Sequence, residues 1–202
     1  MIDLSTATFI GPESTDPHIL ELLPKYHRDL LLAVNGCILF GGGLHIRGIC
    51  ADPDWHSLQR VWSGVDALSL LYPAVRSADV PFAEDFLGNQ FLLREDGVHR
   101  LEGETGELLD LQTDFQGFLR AAQANPPEYL SLSLLERYES QGNVLQPGQL
   151  LNVYPPLATS ESANGVSLRA VPTLECIRFL ADFASQIADV LSGGKIRLRG
   201  QP

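Results

Sequence analysis

An aspartate–glycine pair, Asp96-Gly97, lies between two apolar runs, Gln90 to Arg94 and Val98 to Leu101, and it constrains the fold more than any other feature. Such a pair between apolar segments is the strongest short hairpin signal, because a tight primed turn needs positive φ at both central residues. A second turn signal, Gly103-Glu104-Thr105-Gly106, leads into a third run, Glu107 to Leu111. Thr113 or Asp114 then offers a side-chain oxygen as a helix N-cap, and Phe115, Phe118, Leu119 and Ala122 recur at helical spacing. Pro81 to Leu119 therefore reads as a three-stranded antiparallel meander closed by a helix. A meander must bury one of its two faces, so further helices are expected over it.

The flanking sequence supplies them. Asp16-Pro17 is a cap followed by proline at N1, where the missing N–H costs nothing, and Pro24 stops the helix it opens. A second helix runs from Lys25, and Asn35-Gly36 is expected to end it in a left-handed cap. Cys37 to Phe40 and Leu44 to Ile46 read as short strands around Gly41-Gly42-Gly43. That triplet lacks the Lys-Ser/Thr of a phosphate loop and reads as a turn. Met1 to Glu13 carries β-type residues suited to an edge strand or a loose arm.

Asp52-Pro53 repeats the cap-plus-proline start, predicting a helix through Trp55, Leu58, Val61, Trp62, Val65, Leu68 and Leu71 with a kink or break at Gly64. Asn125-Pro126-Pro127 predicts another through Tyr129, Leu132, Leu135 and Tyr138. Gln146 to Asn164 is rich in turn formers and reads as a surface wrap, and Val166 to Ala170 as a strand. A long helix follows Pro172-Thr173 as far as Leu191, closed by Gly193-Gly194, with a last strand at Lys195 to Arg199. The expectation is a single α+β domain over residues 1–202. Its core spans about 16–124, and a helical C-terminal extension, about 125–202, packs on that core.

Charge and cysteine content narrow the function. The chain has 14 Lys and Arg against 25 Asp and Glu, a formal charge of −11. That field disfavours nucleic acid and anionic lipid; it reads either as a device for solubility alone or as an attraction for a basic protein partner. Cys37, Cys50 and Cys176 are scattered and lack C-x-x-C spacing, so neither disulfides nor zinc are indicated. Nothing resembles a membrane span or a secretion signal, and a cytoplasmic location is expected.

A catalytic reading finds little support. Gly165-Val166-Ser167-Leu168-Arg169 lacks the second glycine of a nucleophile elbow. The five histidines share no metal-ligand spacing, and nothing local orients Cys37 toward His45 as nucleophile and base. Glu84 and Asp85 are adjacent, so on a strand they face opposite sides and cannot line one site together. Asp85 suits a turn-stabilising role near Gly88-Asn89. No catalytic residue, metal or cofactor is expected.

Leu23-Pro24-x-Tyr26 followed by a Leu-rich helix to Asn35-Gly36 resembles the opening signature of the SUKH superfamily. Phe82-Ala83-Glu84-Asp85-x-x-Gly88-Asn89-Gln90-Phe91, then Gly97-Val98, then the helix at Phe115 to Leu119, is similar to that family's central sheet and closing helix. The superfamily includes a fungal cell-wall-synthesis regulator and many bacterial immunity proteins. The resemblance covers roughly residues 19 to 122, and no tryptophan-glycine element precedes Leu23 as it commonly does in the family. It implies a mainly antiparallel, curved sheet packed with helices, and a non-catalytic protein-binding domain. The implied partner is a basic, nuclease-like toxin, with a housekeeping module in envelope or regulatory assembly as the alternative. Carried over by position, the partner-binding residues are Glu84, Asp85, Asn89, Asn35 and Gly36.

Overall fold

The computed structural model describes residues 2–188 and 190, apart from residue 15. Seven strands form one antiparallel sheet in strict chain order: β1 (Phe9–Ile10), β2 (Cys37–Leu39), β3 (Leu44–Ile46), β4 (Val80–Asp85), β5 (Gln90–Arg94), β6 (Gly97–Leu101) and β7 (Leu108–Asp110). Helices α1 (Pro17–Leu22) and α2 (Lys25–Ala33) lie between β1 and β2. Helices α3 (Leu58–Trp62) and α4 (Leu68–Leu71) lie between β3 and β4. After the sheet come α5 (Phe115–Ala124), α6 (Pro126–Tyr129), α7 (Ser133–Ser140), a separate hairpin of β8 (Gln149–Tyr154) with β9 (Ser167–Pro172), and α8 (Thr173–Ile187). The chain is thus α+β, with an antiparallel sheet packed by helices.

Strand register divides the sheet into two faces. Cys37 is paired with Ile46 and Leu39 with Leu44, and the same face continues through Ala83, Phe91, Leu93 and Val98. These residues form one core with Leu31 of α2 and Phe115, Phe118 and Ala122 of α5. A bulge between Pro81 and Ala83 lets Phe82 join that side. Its ring lies 5.2 Å from Phe115 and 5.3 Å from Phe118, both edge-on, where ring quadrupoles attract. The opposite face, carrying Leu92 and Leu101, packs with Leu68, Tyr72 and the apolar stripe Cys176, Ile177, Leu180, Ala181 and Ala184 of α8.

The C-terminal segment is fastened to the sheet by polar contacts as well. The Asp66 carboxylate accepts from Arg60 Nε at 2.7 Å and from Arg178 Nε of α8 at 2.7 Å. Glu104, in the turn after β6, accepts from the backbone N–H groups of Leu157 at 3.0 Å and Ala158 at 2.7 Å.

Several sequence expectations are realised. Asp16 caps α1 by accepting from His18 N, and Asp114 caps α5 by accepting from Gly117 N. Gly41 and Gly42 take positive φ in the turn between β2 and β3.

Others are corrected. The expected three-stranded meander is present as β5–β7, and β4 joins it to β1–β3 in one seven-stranded sheet. In the β5–β6 connection Glu95 and Asp96 are not at positive φ, while Gly97 is, at 138°, where a Cβ would stand 2.7 Å from Thr113 O. Helix α2 stops at Ala33 and Val34 is already extended, so Asn35-Gly36 is not its cap. Asp52-Pro53 opens no helix: a single 3-10 turn at Asp54–His56 follows, and α3 begins at Leu58. The segment after Asn125 is two short helices, parted where Ser131 takes φ 55°. Gln149 to Tyr154 is not a surface wrap but a strand, so the extension combines the helices α6, α7 and α8 with a β8–β9 hairpin. The Gly193-Gly194 stop and the Lys195 to Arg199 strand lie outside the described residues.

Candidate functional site

On the face opposite Phe91, register sets Ile38, His45, Glu84, Gln90 and Leu101 side by side across β2 to β6. The three central positions, His45, Glu84 and Gln90, are polar and lie on one face of mainly apolar strands. They form a buried row with Arg47, whose side chain is 0 % exposed. Arg47 Nη2 donates to Glu84 Oε2 at 2.7 Å and to Gln90 Oε1 at 2.6 Å, and Nη1 donates to Pro81 O at 2.9 Å. His45 Nδ1 lies 2.8 Å from Glu84 Oε1, His45 Nε2 lies 2.8 Å from His56 Nδ1, and His56 Nε2 lies 2.9 Å from Asn35 O. Burial opposes the Glu84 charge, yet Arg47 and His45 hold its pKa below the ordinary carboxylate value.

A second polar knot closes the β4–β5 turn. Asp85 Oδ1 accepts from Leu87 N at 2.9 Å and Asn89 N at 3.0 Å, and Oδ2 accepts from Asn89 Nδ2 at 2.8 Å. Asn89 Oδ1 in turn accepts from Gly103 N at 2.9 Å, joining this turn to the next. Burial raises the Asp85 pKa to about 6 against the opposing pull of Arg100 and these donors.

The five residues proposed from resemblance all lie inside. Glu84 and Asp85 face opposite sides of β4, as alternation requires, and both are buried. Asn89 belongs to the turn knot. Asn35 is a clasp: its Nδ2 donates to Pro12 O at 2.7 Å and Ile49 O at 3.0 Å, and its Oδ1 accepts from Ile49 N at 2.8 Å. Gly36 has φ 79°, and a Cβ there would stand 2.5 Å from Ile46 O. In this conformation none of the five offers a side chain for a partner to grip, and their visible work is structural.

The chemistry tested from sequence fares similarly. Cys37 and His45 stand on opposite faces of the sheet, and burial pushes the Cys37 thiol up to about 12, far from a nucleophilic thiolate. Among the described residues no three His, Cys, Asp or Glu side chains are placed to hold a metal. No described helix is long and apolar enough to cross a membrane.

What faces outward is different in character. A depression of about 470 Å³ lies between the strand β1 and the end of α2, lined by Ile10, Gly11, Pro12, Glu13, Leu32, Val34 and their neighbours. Two large apolar side chains stand open beside it, Ile10 at 56 % and Leu32 at 67 % exposure. Leu22 and Tyr26 are exposed at the junction of α1 and α2. The sequence reading passed over these positions because an apolar residue gives no sign of exposure until its helix is packed. The buried row was missed for another reason: the pairing of β3 with β4 spans a helical excursion that local pattern does not measure. One signal was available, a polar residue, His45, Glu84 or Gln90, inside or at the edge of each of three mainly apolar strands.

No family model matches the chain, and no curated protein does. Among solved structures it is similar to Atu4351 from Agrobacterium tumefaciens, with 12% identity, a TM-score of 0.53, and 88% of this chain and 84% of that chain covered. That likeness concerns the fold.

Proposed function

We propose that this chain is a non-catalytic protein-binding domain of the bacterial immunity type, cytoplasmic, which binds and neutralises a basic toxin. The carrying observation is the surface between β1 and α2, where exposed Ile10 and Leu32 flank a depression beside the exposed acid Glu13. An apolar contact rimmed by acid suits a partner with a matching apolar anchor and a basic rim. The formal charge of −11 favours the same partner by steering encounter. The resemblance of Leu23-Pro24-x-Tyr26 and the Phe82 to Phe91 segment to the SUKH superfamily points the same way. With Glu84, Asp85, Asn89 and Asn35 occupied in the interior, the contact residues of this reading are Ile10, Leu32 and Glu13.

The test combines capture with protection. The tagged chain is exposed to a lysate of its own source, and any stoichiometric basic partner is identified by mass spectrometry. That partner is then expressed in a sensitive host with and without the chain. Growth arrest relieved by the chain supports the proposal. Recovery of envelope or regulatory proteins, with no arrest to relieve, overturns it in favour of a housekeeping module.

A further inference from the structure

The row from Glu84 to Asn35 contains a proton-counting problem. Three contacts link four groups in series: Glu84 to His45 at 2.8 Å, His45 to His56 at 2.8 Å, and His56 to Asn35 O at 2.9 Å. A hydrogen bond needs one hydrogen between its two heavy atoms. Both ends of the series only accept: a backbone carbonyl has no hydrogen to give, and neither has an ionised carboxylate. Two neutral imidazoles bring one N–H each. Three contacts therefore need three hydrogens, and neutral rings supply two.

We infer that the buried row binds one additional proton, carried on His45 as an imidazolium that donates to Glu84 through Nδ1 and to His56 through Nε2. His56 is then neutral, accepting at Nδ1 and donating from Nε2 to Asn35 O. Arg47 Nη2 at 2.7 Å from Glu84 keeps that residue a carboxylate, which closes the other route of placing the hydrogen on Glu84.

The surroundings bear on this proton from every side. Burial, with the Arg47 charge adding to it, pulls the His45 pKa below its ordinary value against the upward pull of the Glu84 bond and charge, and the hydrogen count sets a stronger demand against that pull. Burial and the charge on His45 push His56 down to about 3, in keeping with a neutral ring there. From α8, Cys176 approaches as an uncharged thiol, its pKa pushed up to about 12 by burial and then by Glu84 and Asp85. Gln146 and Gln149 at the start of the hairpin, and Thr173 at the start of α8, bring neutral polar groups to the small void beside His45 and Glu84. Gln90 Nε2 donates to Glu84 Oε2 at 3.2 Å, and the Trp55 ring lies 5.3 Å from His45. Without the third hydrogen one contact would set two lone pairs against each other inside a buried site, where such a mismatch is costly. That cost outweighs the burial of one charge flanked by a carboxylate.

The linkage has a definite sign. With that proton on His45 at pH 8, its folded pKa stands above the unfolded value of about 6.5, opposite to the direction in which burial pulls it. Its contribution to stability is therefore complete below that value and is lost as pH rises through the folded pKa.

The experiment is long-range proton–nitrogen NMR of the full chain, labelled with ¹⁵N and ¹³C and held folded at pH 8. The expected spectrum shows His45 with both ring nitrogens protonated and His56 as a neutral Nε2–H tautomer. Glu84→Gln provides the complement, since its amide brings the missing hydrogen and the His45 imidazolium signal should vanish at the same pH. If that variant does not fold, the native spectrum decides alone. A folded native chain with His45 neutral at pH 8, or with a protonated Glu84 carboxyl carbon, overturns the inference.

Discussion

Arg47 and Glu84 form an ion pair at 2.7 Å with neither side chain exposed at all. A pair so deep is held by its hydrogen bonds as much as by Coulomb attraction, since removing either ion from water is expensive. Removing one partner alone strands the other. Glu84→Ala or Arg47→Ala is expected to cost about 3–5 kcal/mol, while the Arg47→Met, Glu84→Leu double variant costs less than the sum. Denaturant unfolding of the four proteins checks this coupling.

His27 should make the fold acid-sensitive. It sits in the core, 5.2 Å from the Phe115 ring, and neither ring nitrogen has a partner. Burial pushes its pKa down to about 3. A depressed folded value means that the stability His27 allows is complete above about 6.5 and is lost as pH falls toward 3. His27→Leu should flatten the stability curve in that window and change little at pH 8. Equal slopes in both proteins would remove His27 as the cause.

Asp85 carries the opposite linkage. Burial raises its folded pKa to about 6, so the folded state prefers the protonated form, and this preference is lost as pH rises from about 4 to 6. Asp85→Asn should therefore differ from the native chain by an amount that changes across that window and is constant above pH 7. Because the amide faces the Asn89 Nδ2 donor, a net loss of about 1–3 kcal/mol is expected at pH 7.

Gly36→Ala should destabilise by at least ~1–2 kcal/mol, from the left-handed backbone alone. The clash of the new Cβ with Ile46 O adds to that. Thermal unfolding of the variant, with Gly142→Ala as a comparison at similar φ but open space, separates the two causes.

Leu32→Asp and Ile10→Asp should leave stability within about 0.5 kcal/mol, as substitutions at open positions do. If the β1–α2 surface is the toxin contact, each should weaken the captured complex tenfold or more. Unchanged affinity in folded variants would move the interface elsewhere.

The α+β class and the order of the central strands were legible because their signals are local. Asp114 and the phenylalanines after it announce α5, and Asp16-Pro17 announces α1, through contacts made within a turn or two. Asp52-Pro53 carries the same signature and opens only a 3-10 turn, because His56 is drawn into the polar row with His45 and Asn35. Tertiary bonding decided there, and propensity did not. Glu84 and Asn89 stood out in the sequence, but as contacts for another molecule. Their partners Arg47, His45 and Gly103 come from strands and turns whose alignment no local pattern specifies.

The strict chain order of β1 to β7 has a consequence for how the protein is made. β2–β3 and β4–β7 pair across short turns, while β1 meets β2 and β3 meets β4 across the helical excursions α1–α2 and α3–α4, so most of the ladder closes through near segments. Loop closure is cheap in such an arrangement, and pairing that is near in sequence favours rapid folding. During synthesis the sheet can zip up behind the ribosome, hairpin by hairpin. The face bearing Leu92 and Leu101 is covered only in part, by residues such as Leu68 and Tyr72, until the later α8 arrives. Interrupted translation would thus release a formed sheet with one sticky side, the state in which a chaperone would be needed most.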